Sequence, residues 1–165
     1  HRYRLHYLWR PPYSVPAMGT MLPDCFTSEV FFRNFSLDMA KLYDGVRHDS
    51  GDPLEFGDKM IAKYESYHID PRTKSIVFSD SLDFDKALEI QNYFKDRIGI
   101  SFGIGTNLTN DVGTLKPLNI VMKLKTFQVN PRQHVYRCVK LSDVPGKEIG
   151  DPDEVHSYKV ILGLI

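Results

Sequence analysis

Cysteine is scarce in this chain: Cys25 and Cys138 are its only two, with neither the paired spacing of a zinc site nor the density of a disulfide framework. Free thiols in a reducing compartment are therefore expected. Excess charge is also absent, since 21 Lys plus Arg balance 21 Asp plus Glu, and net charge gives no reason to expect nucleic acid or an acidic membrane surface as a partner. No apolar run reaches the length of a membrane span, and no charged-then-apolar opening resembles a signal peptide, so the expected compartment is the cytoplasm. The glycine-rich runs lack the G-K-[ST] ending of a nucleotide loop and the full spacing of a dinucleotide fingerprint. Histidines 1, 6, 68, 134 and 156 are scattered without ligand spacing, and the lone Trp9 lies in an irregular opening stretch.

What is present suits one globular domain, at 42% apolar and 12% aromatic residues. Residues 1–17 stand apart, with no acidic residue and no sustained period. They read as an extended arm, a linker or an imperfectly joined leader, and residues 18–165 as the domain. Leu22, Phe26, Val30, Phe31, Phe35, Met39 and Leu42 recur at helical intervals after Thr27 or Ser28, predicting a short strand or loop and then one helix. The next helix is predicted from Asp52 as N-cap and Pro53 at its first position, with Leu54, Met60, Ile61 and Tyr64 on one face. Residues 75–78 form a predicted strand, Asp83 caps a helix burying Ala87, Ile90 and Phe94 and stopped by Gly99, and residues 100–102 form another strand. Strands over 118–124 and 135–141, joined by a turn at Asn130-Pro131, complete the pattern. The fold class is α/β, with each polar loop on the carboxyl side of its strand.

Three such loops carry the chemistry. R-H-D-S-G-D-P at residues 47–53 sets a cation, an imidazole and two carboxylates beside a glycine. Arg47 suits a two-pronged contact to a carboxylate or phosphate, or a salt bridge to a neighbouring Asp; His48 is a candidate to orient Asp49 or Arg47. F-S-D-S-L-D follows at 78–83. Asp49, Asp52, Asp80 and Asp83 suit ribose hydroxyls, water-bridged Mg²⁺ or acid/base work, but Asp52 and Asp83 have helix capping as an ordinary duty, leaving Asp49 and Asp80. In F-G-I-G-T-N-L-T-N-D at 102–111, Gly103 and Gly105 free backbone amides for an anion while Thr106, Asn107 and Thr109 add neutral donors; a plain tight turn is the alternative. Lys140, Ser142, Gly146 and Lys147 make a basic turn open to phosphate or simply closing a hairpin.

Taken in order, R-H-D-S-G-D-P, F-S-D-S-L-D, F-G-I-G-T-N-L-T-N-D, P-L-N-I-V-M-K-L at 117–124 and K-L-S-D-V-P-G-K at 140–147 resemble the carboxyl half of nicotinate phosphoribosyltransferases. The resemblance runs from about residue 19 to residue 151. It implies that residues 18–165 are part of an irregular β/α barrel of the type II phosphoribosyltransferase kind, ending in C-terminal β-strands. It further implies an ATP-coupled reaction of nicotinate with phosphoribosyl pyrophosphate in NAD biosynthesis, giving nicotinate mononucleotide and pyrophosphate. Mg²⁺ is the implied cofactor, ATP a co-substrate, and a homodimer the full-length assembly. Catalytic roles fall on Asp49 at the ribose and Asp80 near the ribose and the Mg²⁺-bound pyrophosphate, with the metal held through water. Substrate contacts fall on Arg47 at the nicotinate carboxylate or the forming nucleotide, on Ser79, on Gly103, Gly105, Thr106 and Asn107 at the 5′-phosphate, and on Ser142 and Lys147 at pyrophosphate or ATP. Family members exceed twice this length, and their phosphorylated histidine belongs to an upstream histidine–glutamate segment not found here. The chain alone is therefore expected to be an incomplete fragment without turnover. A non-catalytic phosphate-binding or subunit-interaction fragment is the alternative function, and a nicotinamide phosphoribosyltransferase the nearest enzymatic one.

Overall fold

A computed structural model describes residues 19–23, 25–109, 113, 122–144 and 146–165. The opening stretch 1–17, most of the strand expected over 118–124, and Asn110 and Asp111 lie outside the described residues. Four parallel strands form one sheet in chain order: β1 (Thr20–Met21), β2 (Gly45–His48), β3 (Ser75–Phe78) and β4 (Gly99–Phe102). Helices cross between them. α1 (Ser28–Asn34) and α2 (Leu37–Leu42) link β1 to β2, α3 (Pro53–Ser66) links β2 to β3, and α4 (Phe84–Phe94) links β3 to β4.

The predicted caps are in place. The Asp52 side chain accepts from the Glu55 N–H at 2.8 Å with Pro53 at the first helical position, and Asp83 accepts from Lys86 at 2.8 Å. Each satisfies an orphan donor of its helix, worth about 1 kcal/mol. Met60, Ile61 and Tyr64 of α3 and Ala87, Ile90 and Phe94 of α4 are buried, as their spacing requires.

Register sorts the strands into two faces. Val46, Ile76 and Ile100 lie side by side, as do His48, Phe78 and Phe102, and the helices pack on this face. Val46, Ile76 and Phe78 are fully buried there, each contributing about 1.5–3 kcal/mol. The opposite face carries Gly45, Ser75 and Gly99, then Arg47, Val77 and Ser101. Apart from Val77 those residues are small or polar, and most are half-buried or exposed. Gly45 is required by crowding, since a Cβ there would lie 2.1 Å from the Ser75 carbonyl oxygen.

Four expectations need correction. The single helix over 27–42 is two, because Phe35 is extended, the Asn34 side chain donates back to the Val30 carbonyl, and the Ser36 hydroxyl accepts from Met39 to start α2 afresh. Gly99 does not stop α4, which ends at Phe94. It opens β4, where a Cβ would stand 2.9 Å from the Lys74 carbonyl oxygen. The strand over 135–141 shrinks to β6 (Tyr136–Arg137), antiparallel to β5 (Thr126–Phe127), because the chain then leaves the ribbon so that the Leu141 N–H can reach the Cys25 carbonyl at 3.0 Å. Lys140 keeps one bridge, to Ile149. Finally, the C-terminal part is not only strand: α6 (Pro152–Leu162) is capped by Asp151 and closed by Gly163 at φ +66°. Its D-P start and G stop are both visible in the sequence. α6 and Leu141 form a second, smaller core with Phe26 and Val30.

Candidate functional site

The carboxyl ends of β2, β3 and β4 lie side by side, and parallel pairing alone brings their loops together. Pairing continues one residue past β3, where the Ser79 N–H donates to the His48 carbonyl at 3.0 Å and the Ser79 hydroxyl to the same oxygen at 2.9 Å. This fixes Ser79 beside Arg47 and Asp49. The Arg47 Nε donates to Ser79 Oγ at 2.8 Å and its Nη2 to Asp49 Oδ1 at 2.7 Å; Ser79 Oγ also lies 3.2 Å from Asp49 Oδ1. Lys140 Nζ stands 3.9 Å from the other Asp49 oxygen. The glycine-rich turn abuts this group, since a Cβ on Gly103 would sit 3.1 Å from the Ser79 Cβ.

Arg47, Asp49, Ser79, Gly103 and Lys140 are thus gathered by contact, and Asp80 follows Ser79 with its carboxylate accepting from the Ser81 hydroxyl at 3.0 Å. Gly105 faces open space, where a Cβ would meet no described atom within 4 Å, and Thr106 opens the short helix α5 (Thr106–Thr109). The amide of Asn107 donates to the Leu82 carbonyl at 3.0 Å, tethering the β4 loop to the β3 loop. The bonds of Ser142 and Lys147 are local instead: the Ser142 hydroxyl accepts from the Val144 N–H at 3.2 Å, and the Lys147 N–H donates to the Val144 carbonyl at 3.2 Å. They build the turn.

The Arg47–Asp49 pair realises the salt-bridge reading of Arg47, yet its side chains are 45% and 25% exposed. A pair so accessible contributes about 0–1 kcal/mol. A charge-assisted, two-pronged contact to an arriving anion exceeds that, so the pair holds Arg47 ready without locking it.

His48 does not orient its neighbours. Alternation along β2 sends its ring to the helical face, 2% exposed, between Phe56 at 5.1 Å and Phe78 at 5.7 Å. Neither ring nitrogen makes a well-formed hydrogen bond among the described residues, and the Ser50 backbone is the polar group that approaches the ring. Burial holds its pKa below the ordinary imidazole value against the opposing pull of Asp80, the Ser50 backbone, Asp49 and Asp143.

Three further residues join the site without having been assigned to it from the sequence: Ser28, read only as a possible helix cap, and Ser50 and Asp143, which lie inside the quoted motifs. Asp143 accepts from the Ser28 N–H at 2.7 Å, the Ser28 hydroxyl at 2.5 Å and the Ser50 hydroxyl at 3.3 Å. It joins the C-terminal turn to the start of α1 and to the loop after β2. Only the hydroxyl and carboxylate types are readable from sequence; the pairing spans 115 and 93 residues.

Comparison with known proteins bears on the fold and the family. The family model described as the nicotinate phosphoribosyltransferase (NAPRTase) family matches residues 8–163. A nicotinate phosphoribosyltransferase of Desulforapulum autotrophicum is 51% identical over 145 residues, 87% of this chain and 37% of the relative. One from Escherichia coli O157:H7 is 50% identical over 132 residues, 80% of this chain and 32% of the relative. The crystal structure of the Porphyromonas gingivalis nicotinate phosphoribosyltransferase superposes with a TM-score of 0.81 at 49% identity, covering 88% of this chain and 37% of that one. That from Vibrio cholerae gives 0.79 at 42% identity, covering 87% and 35%. The chain therefore spans about a third of the length of the relatives it matches.

Proposed function

The chain belongs to the nicotinate phosphoribosyltransferase family, and from that membership we propose that it carries the phosphoribosyl-binding loops of an enzyme joining nicotinate to phosphoribosyl pyrophosphate, with ATP hydrolysis coupled. The observation that supports this best is the Arg47–Ser79–Asp49 group at adjacent strand ends, with the Gly103 turn against it. As pyrophosphate departs, positive charge develops at the ribose. A site for that step needs a carboxylate near the sugar and cations or amides for the anions on either side. Asp49 supplies the carboxylate, Arg47 the cation for the nicotinate carboxylate, and the turn from Gly103 through Asn107 the approach for the 5′-phosphate. Lys140 adds a second cation beside Asp49, and Ser142 and Lys147 shape the turn that carries it, with pyrophosphate or ATP as their proposed ligands.

The sheet supports a barrel reading as well. Parallel sheets are ordinarily covered on both faces, and the face bearing Arg47, Val77 and Ser101 is left half-buried or exposed at those residues. Small and polar residues there suit the interior of a barrel that further strands close. Mg²⁺ fits the donor set in one way only. Among the described residues no three His, Cys, Asp or Glu side chains gather to hold a metal, but Mg²⁺ commonly keeps its waters and takes one or two carboxylates plus phosphate oxygens. Asp80 would hold it through water, and the ion would offset charge on the pyrophosphate. A homodimer is the proposed assembly of the complete enzyme.

The reading is tested by supplying the remaining segment from a relative and measuring mononucleotide formation with nicotinate and with nicotinamide. Nicotinate should be preferred, and Arg47→Ala should abolish that preference. Equal use of both bases by the unmutated protein would overturn the assignment.

A further inference from the structure

We propose that Asp143 is a positioning residue that sets the loop bearing Asp49, directly after Arg47 and His48 of β2, by clasping it to the start of α1. The inference rests on the phosphoribosyl-binding reading of that loop for its functional consequence, but its structural content stands apart. Four features carry it. Both oxygens of the carboxylate are used, Oδ1 on the Ser28 N–H and Oδ2 on the Ser28 and Ser50 hydroxyls. Ser50 is 6% exposed, so its hydroxyl has little access to water as a substitute partner. Gly51 follows at φ +87°, a turn whose direction depends on where Ser50 is held, and a Cβ on it would meet the Asp143 Cβ at 4.0 Å. Lys140, three residues before Asp143, reaches the Asp49 carboxylate at 3.9 Å, so the same segment touches the loop on both sides of Ser50.

The Ser28 contacts alone would be a helix cap. α1 starts with a weak one of its own, the Thr27 hydroxyl accepting from Val30 at 3.4 Å, and a carboxylate at Ser28 complements the helix end. The Ser50 contact is what a cap does not require. It makes the geometry of residues 49–51 depend on a side chain more than ninety positions away.

The test uses the 165-residue chain with Asp143→Ala, Ser50→Ala and the double variant. Amide hydrogen exchange should quicken about ten-fold or more at residues 49–51 in both single variants, from the loss of a hydrogen bond to a charged group, with β3 unchanged. The double variant should be no faster there than Asp143→Ala, because both act through one contact. Affinity for phosphoribosyl pyrophosphate with Mg²⁺, measured by calorimetry, should fall about ten-fold in step, and Asp143→Asn, which keeps an acceptor for Ser28, should recover part of it. Exchange unchanged at 49–51, with loosening confined to residues 28–31, would reduce Asp143 to a cap and overturn the proposal. Quickened exchange in a chain whose unmutated form binds no phosphoribosyl pyrophosphate would keep the clasp and count against the functional reading alone.

Discussion

Residues 45–102 and residues 122–165 are built on different terms. In the first stretch each strand is followed by a loop, a capped helix and the next strand, and the side chains on the packed faces are buried to completion: Phe78, Tyr64, Phe94, Met60 and Ile76 have no exposure, while Phe84, Leu88 and Tyr93 lie on the outer side of α4. In the second, a two-residue ribbon leaves Phe127 and Tyr136 stacked at 4.8 Å yet each 47% exposed, and among the described residues only Leu141 and Leu162 are fully taken into a core. The contrast teaches that the sheet unit holds itself, whereas the later segment is held by what it touches: Cys25 through backbone, Ser28 and Ser50 through Asp143, and Asp49 through Lys140. The candidate site sits on the seam between them.

If the first stretch is the cooperative unit, Phe78→Ala should have the largest effect, about 3–5 kcal/mol of lost stability by denaturant unfolding, since Phe78 packs against His48, Phe94 and Phe102 at once. Leu141→Ala should cost roughly 2–3 kcal/mol, but read as faster hydrogen exchange at residues 139–164 with β2–β4 unaffected; a loss spread evenly over both stretches would erase the distinction. Asp83→Ala removes one cap inside the first stretch and should lower its unfolding free energy by about 1 kcal/mol. Lowering the pH probes the same core through His48. Its folded-state pKa lies below the unfolded value near 6.5, so the unfolded chain binds more protons as pH falls through that value and stability declines. His48→Phe should flatten that decline, followed by urea unfolding between neutral and acid pH. Smallest of all, Phe127→Ala in the exposed ribbon should stay within about 0.5 kcal/mol.

Legibility in the sequence follows the same boundary. α3, β3 and α4 can be read closely because caps, period and burial agree within a dozen residues, as at Asp52-Pro53 and Asp83. The break at Phe35-Ser36 escapes because a continuous apolar period masks a second cap. The strand expected over 135–141 is shorter than its composition suggests because β-rich residues do not say whether a partner is present, and Lys140 finds one residue to pair with. In the site, Arg47, Asp49, Ser79 and Gly103 can be gathered from strand-end positions alone. Asp143 cannot, since its partners are set by tertiary packing. His48 sits inside a polar motif that suggests a polar duty, but strand alternation places it on the face opposite Arg47, and alternation wins.

The span of the Asp143 clasp also bears on how the protein comes into being. Ser28 and Asp143 are separated by 115 residues, and a ribosome adding about 5–20 residues per second needs roughly 6–23 s to cover that distance. For that interval the sheet unit can emerge and assemble, while the start of α1 and the loop after β2 await their carboxylate. The nascent protein therefore acquires its sheet, with Arg47, Asp49 and Ser79 at the strand ends, before the Asp143 contacts can form, and translation stopped short of residue 143 would release a chain that has the first without the second.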